Sequence, residues 1–166
     1  MTAMLVPRNL SVGADANAVG PEDRLARLTA LATSFRLAIE RCDPRHLTIS
    51  LQGFPKGSCG DAAPLLGTFL EEQGLGTFMY VLGTREGGKN GHSHAWLEAE
   101  GVLVDITADQ FPEIDQKVIV TTRSDWHATF EREEVRDKAD FRIYDERTVA
   151  ALERAYAAIL AEMERA

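Results

Sequence analysis

The sequence predicts an α+β fold with a mostly antiparallel sheet, and three observations carry that expectation. Apolar residues recur at helical spacing in two segments of the first half and again at the end of the chain. Between residues 77 and 122 the apolar segments are short, rich in Val, Ile, Leu and Thr, and divided by glycine-containing turns. No helical pattern separates those segments, which favours hairpins over parallel crossovers. The chain has 166 residues, 45% hydrophobic and 27% charged, so a single domain over 1–166 with its own core is expected.

Residues 1–20 show little periodicity and read as a loose arm or a short edge strand. Pro21 suits the first helical position, and Glu22 and Asp23 suit the positive end of a helix. Leu25, Leu28, Leu31, Ala32, Phe35 and Ile39 then line one face, until Asp43-Pro44 stops the helix. Residues 47–51, Leu-Thr-Ile-Ser-Leu, alternate like a short strand. A loop with three glycines and Pro55 runs from Gly53 to Gly60. A second helix covers Asp61 to Gln73, with Leu65, Leu66, Phe69 and Leu70 inward and Gly74 at the C′ position. Residues 77–83 read as a buried strand and Glu86 to Gly91 as a glycine-rich loop. His92–Leu97 and Val102–Thr107 read as a hairpin turning at Glu100-Gly101, and Lys117–Thr122 as one more strand. Residues 123–146 are charged and carry no clear period. Thr148–Arg165 is an amphipathic helix with Leu152, Tyr156, Ile159 and Met163 on one stripe.

Composition excludes several functions. The net charge of −8, from 18 basic and 26 acidic residues, is wrong for a nucleic-acid face or an anionic membrane surface. No apolar run reaches the roughly 20 residues of a membrane helix. The first twelve residues carry Arg8 but no apolar core, so no signal peptide is expected. Two cysteines, 17 positions apart, make neither a CxxC redox pair nor a four-cysteine zinc site. A cytoplasmic protein with free thiols is the expectation.

Chemistry concentrates in Phe54-Pro-Lys-Gly-Ser-Cys-Gly-Asp61. Cys59 stands where a glycine-rich loop enters a helix. Unpaired backbone N–H groups and the positive helix end there stabilise a thiolate, the form of cysteine that attacks. Asp61 acts against this if its carboxylate lies near the sulfur. Cys42, inside a helical stretch, reads as a small buried hydrophobe. A base and an orienting acid are available in the predicted hairpin. With a two-residue turn at Glu100-Gly101, Ala99 pairs with Val102 and Trp96 falls opposite Asp105. His94 then shares that face, diagonal to Asp105 and within reach of a hydrogen bond. A three-residue turn would move Asp105 to the other face. On the first register Asp105 fixes the tautomer of His94, and His94 takes the proton of Cys59. His92 lies on the same face by period two, which leaves open a metal site of His92, His94 and an acid. His46 and His127 read as surface residues. For an oxyanion hole the N–H groups of Cys59 and Gly60 are candidates, as are the amides of Gln52 and Gln110. Trp96, beside the histidine, is a candidate substrate wall.

Cys59 in Gly-Ser-Cys-Gly-Asp, His94 in His-Ala-Trp and Asp105 in Val-Asp-Ile-Thr, in that order, resemble the transglutaminase-like branch of the papain-fold cysteine enzymes. In that branch a cysteine at a helix start packs against a hairpin bearing first the histidine and then the aspartate. Ser93–Leu97 and Asp105–Phe111 also resemble segments of a set of small bacterial and phage proteins. The resemblance covers about residues 50–111. It implies a papain-like fold and a Cys59–His94–Asp105 triad. It also aligns Gln52, seven residues before Cys59, broadly with the papain-type oxyanion glutamine. The chain is short beside multidomain transglutaminases and has no calcium-loop pattern.

The function expected from the sequence is therefore a thiol hydrolase or acyltransferase acting on an amide or ester bond of a peptide, protein or small molecule. It needs no cofactor. The alternative from another class is a non-catalytic peptide- or protein-binding module on the same fold.

Overall fold

The computed structural model describes residues 20–86 and 92–166. The expected N-terminal arm at 1–19 and most of the glycine-rich loop, 87–91, lie outside them. The fold is α+β. Helix α1 spans Pro21–Arg41, the short α2 Ile49–Gln52, α3 Cys59–Glu72 and α4 Glu146–Glu164. The strands are β1 Met79–Arg85, β2 His92–Ala99, β3 Val102–Asp105, β4 Ile119–Thr121 and β5 Glu131–Arg136. They form one sheet in the order β4-β3-β2-β1-β5, antiparallel at every junction.

Helix α1 starts with Pro21 behind Gly20 and buries Leu28, Ala32, Phe35 and Ile39, as its spacing requires. Helix α3 ends as Gly74 predicts. Gly74 takes φ +76°, its N–H donates to Glu71 O, and Leu75 N–H reaches back to Leu70 O at 3.0 Å. Helix α4 is capped by Asp145, whose carboxylate accepts from the N–H groups of Arg147 and Thr148.

Among the described residues, 47–51 are the one element whose type differs from the sequence expectation. Alternation would put Leu47, Ile49 and Leu51 on one buried face. Instead Leu47 and Leu51 are buried and Ile49 is 89% exposed, because the chain is extended only through Thr48 and then coils into α2, which turns Leu51 to the core and Ile49 to solvent.

Both faces of the sheet are covered. One carries α1 and α3 over Ala95, Leu97, Ala99, Val102 and Val104, with α4 packed on those two helices. The opposite face carries Val81, Trp96 and Leu103, and the irregular chain between β3 and β5 closes over it with Ala108, Phe111, Trp126 and Phe130. That explains the unbroken burial of β2 from His94 to Leu97. Strand β5 belongs to the segment without a clear period, 123–146. It is an exposed edge whose charged side chains discourage further pairing.

Two glycines make close approaches possible. At Gly83 a Cβ would come within 2.8 Å of Phe130 Cβ and 3.0 Å of the Trp96 ring, so the aromatic layer lies directly on the β1 backbone. At Gly67, inside α3, it would lie 2.5 Å from both Cβ and O of Ala139. Gly to Ala in a helix interior ordinarily stabilises by about 1 kcal/mol. Gly67→Ala is expected to do the reverse and cost about 1–3 kcal/mol through overpacking, read as a lower urea midpoint.

Candidate active site

Cys59 is the first residue of α3. Gly57, at φ +66°, makes the turn that delivers the chain to it, and Ser58 anchors the entry by donating from Oγ to Ser50 O at 2.7 Å. The N–H groups of Asp61 and Ala62 both donate to Ser58 O, so those of Cys59 and Gly60 stay outside the helical ladder. The Asp61 carboxylate turns to Thr48 Oγ1, at 2.7 Å, and to the Ser50 hydroxyl. These hydroxyls hold it within the α2 corner.

The hairpin register has Ala99 opposite Val102 and Leu97 opposite Val104. The turn is two residues long, with Glu100 at φ 50° and Gly101 at φ 76°, the pattern of a type I′ hairpin. His94 and Asp105 consequently share a face, and Asp105 Oδ2 lies 2.6 Å from His94 Nε2. Asp105 Oδ1 accepts from the N–H and hydroxyl of Thr107, at 2.8 and 3.2 Å. Both side chains are buried, His94 at 0% and Asp105 at 2% exposure, whereas Cys59 is partly exposed.

The electrostatics follow from this geometry. Burial alone would raise the Asp105 carboxyl, but the His94 charge and hydrogen bonds from His127 and His94 hold it well below the usual carboxylate range. Asp105 is therefore an ionised acceptor, and His94 Nε2 carries a proton. Burial would lower the His94 imidazole, yet the Asp105 charge and hydrogen bond, helped by Cys59, push it up to about 9. For Cys59, burial again favours the neutral form. The hydrogen bond and charge of His94, the Ala95 backbone and the Gln110 amide outweigh it and lower the thiol. Cys42 goes the other way, raised by burial and by Glu162.

The other sequence candidates fall into two groups. Gln110 joins the site: its Oε1 accepts from Gly57 N–H at 3.2 Å, and its Nε2 lies 3.2 Å from His94 Nδ1 and 3.0 Å from Thr107 O. Gly60 sits exposed beside Cys59 with open space where a Cβ would be. Gln52 is exposed, and its amide reaches only Leu47 O, at 3.5 Å. Trp96 is 2% exposed, stacks on His94 with ring centres 5.9 Å apart, and donates from Nε1 to Glu98. It backs the histidine on the sheet face that the two share, away from the helices. His92 leans on Phe111. Among the described residues, the group that brings potential metal ligands together is His94, Asp105 and His127, without His92.

His127 corrects the sequence reading. Expected at the surface, it is 4% exposed and its Nε2 lies 2.8 Å from Asp105 Oδ2, the same oxygen that His94 uses. His127 follows Trp126 in a polar stretch with no period. Only the folding of that stretch over the sheet brings it to Asp105. Arg36 also escapes local reading. It is buried in α1 and donates to both carboxylate oxygens of Asp109 and to the carbonyls of Ile106 and Lys117. Its signal was a charge set among the apolar positions Ala32, Phe35 and Ile39.

No protein-family model, curated protein or solved structure matches this chain. None of the described helices is long and apolar enough to cross a membrane.

Proposed function

We propose that the protein is a cysteine-dependent hydrolase or acyltransferase of transglutaminase-like, papain-type architecture, acting on an amide or ester carbonyl. The observation that carries this reading is the buried His94 ring. Its Nε2 is held by Asp105 at 2.6 Å, and its charge helps to lower the thiol at the start of α3. In this reading Cys59 Sγ attacks the carbonyl carbon, and the electron pair of the C=O bond moves to oxygen. The N–H groups of Cys59 and Gly60 are the candidate donors to that oxyanion. The intermediate collapses as protonated His94 gives its Nδ1 proton to the leaving amine or alcohol, which forms a thioester at Cys59. Water or an amine, deprotonated by His94, then releases the acyl group. Asp105 keeps the imidazole oriented throughout.

Alkylation of the Cys42→Ala and Cys59→Ala proteins across pH tests this proposal. An ordinary thiol near 8.5 is only about 0.3% thiolate at pH 6. Cys59 alone is expected to react at least about tenfold faster there than Cys42 alone, because its thiol is lowered and that of Cys42 is raised. Equal, sluggish reactivity of the two would return the protein to the class of binding modules.

A further inference from the structure

Asp105 Oδ2 receives two imidazoles, and one of them is not accounted for by the triad. His127 is fixed independently. Ser124 Oγ accepts from the His127 backbone N–H at 3.2 Å and lies 2.6 Å from its Nδ1. The ionised Asp105 carboxylate can only accept, so its 2.8 Å contact places the His127 proton on Nε2. The bare Nδ1 then accepts from the Ser124 hydroxyl. The chain Ser124–His127–Asp105–His94 is continuous, and every buried polar side-chain atom among the described residues has a partner.

We propose that His127 is a positioning residue that limits the proton affinity of His94, by donating to the carboxylate oxygen on which His94 depends. This rests on the Cys59–His94 reading and extends it to a second histidine. A carboxylate oxygen that accepts a second strong donor offers less negative charge to the first. Without His127, Asp105 would hold the His94 proton more tightly, and the base would release it to a leaving group less readily. A base works best with a proton affinity near the working pH, and Asp105 alone drives His94 away from it.

The groups that bear on this pair come from several elements. Cys59 faces His94 from α3, Asp105 from β3 and His127 from the chain before β5. His92 lies along β2 against Phe111. Arg85 of β1 lies over the rings of Phe111, Trp126 and Phe130, paired with Glu113. Glu98, Arg123 and Arg132 rim a cleft of about 490 Å³ on the far face, whose walls include Ser124 and His127.

The test is a histidine-ring NMR titration of His94 in the Cys59→Ala protein, where the thiol no longer contributes. His127→Phe is expected to raise the His94 midpoint by about 0.5–1 pH unit. His127→Gln, which can keep a donor at the Nε2 position, is expected to restore it to within about 0.3 unit. Ser124→Ala, which leaves the His127 ring in place, is expected to raise it by a smaller amount and covers the case in which His127→Phe does not fold. If His127 served only as a scaffold, its loss would let Asp105 swing away and the midpoint would fall. A fall or no change in the variants that fold overturns the proposal. An ordinary Cys59 thiol in the Cys42→Ala protein would overturn the enzyme reading while leaving this titration informative.

Discussion

Asp105→Asn is expected to slow Cys59 alkylation at pH 6 by about two orders of magnitude. Any turnover of an amide or ester substrate should fall by about 10³–10⁴-fold. The carboxylate is a pure acceptor with two donors on each oxygen. An asparagine offers one oxygen and one NH₂. If the NH₂ faces the histidines, both rings must move their protons to Nδ1, and His94 Nδ1 can then no longer take the thiol proton. If it faces Thr107, it opposes a backbone N–H that has no alternative. The first placement sets the His94 Nδ1–H against the Gln110 NH₂ and the second sets donor against donor at Thr107, so a stability loss of about 1–3 kcal/mol is expected with the loss of reactivity. His94→Ala should remove the thiolate activation outright, and His92→Ala should leave most of it.

The pH dependence of stability follows with definite signs. Asp105 titrates below its unfolded value of about 3.9, so its stabilisation is present above that pH and is lost as pH falls. His94, raised to about 9, stabilises fully below its unfolded value near 6.5 and loses this as pH rises through about 9. The two contributions overlap fully between about pH 4 and 6.5. The site's contribution to melting temperature should be largest there, and Asp105→Asn should flatten both limbs. An unchanged profile and unchanged Cys59 reactivity in Asp105→Asn would remove Asp105 from the triad.

Arg36→Met carries the largest expected cost to stability, about 3–5 kcal/mol by chemical denaturation. The guanidinium is 3% exposed and ties α1 to the chain that follows Asp105. Methionine would fill the space but abandon the Asp109 carboxylate and two carbonyls. Because Ile106 and Asp109 bracket Thr107, which holds Asp105, loosening there should also lower Cys59 reactivity. Adding Asp109→Asn should recover part of the stability, since the unpaired, partly buried carboxylate is then gone. A cost of the same size as at an exposed arginine would show that the clamp contributes little.

Local sequence made much of this legible. The glycine before Cys59, the two-residue turn and the period-two faces of the hairpin determine where Cys59, His94 and Asp105 lie, and all three are short-range features. The α2 corner was misread because five residues fit both a strand and a helical turn, and only the exposure of Ile49 separates the two. Strand β5 was hidden because an exposed edge selects for charge and erases alternation. His127 and Arg36 act through contacts 22 and 73 positions away, where spacing carries no information.

The Glu100-Gly101 turn lies far along β2 from the thiol, yet its length is a parity bit for the site. Substituting either residue alters how comfortably the chain reverses. Sliding β3 by one residue against β2 would present Val104, not Asp105, to His94. Chains built on this plan can therefore vary the letters of the turn much more freely than the pairing it sets, and a one-residue slip there would disarm the site without touching any residue in it.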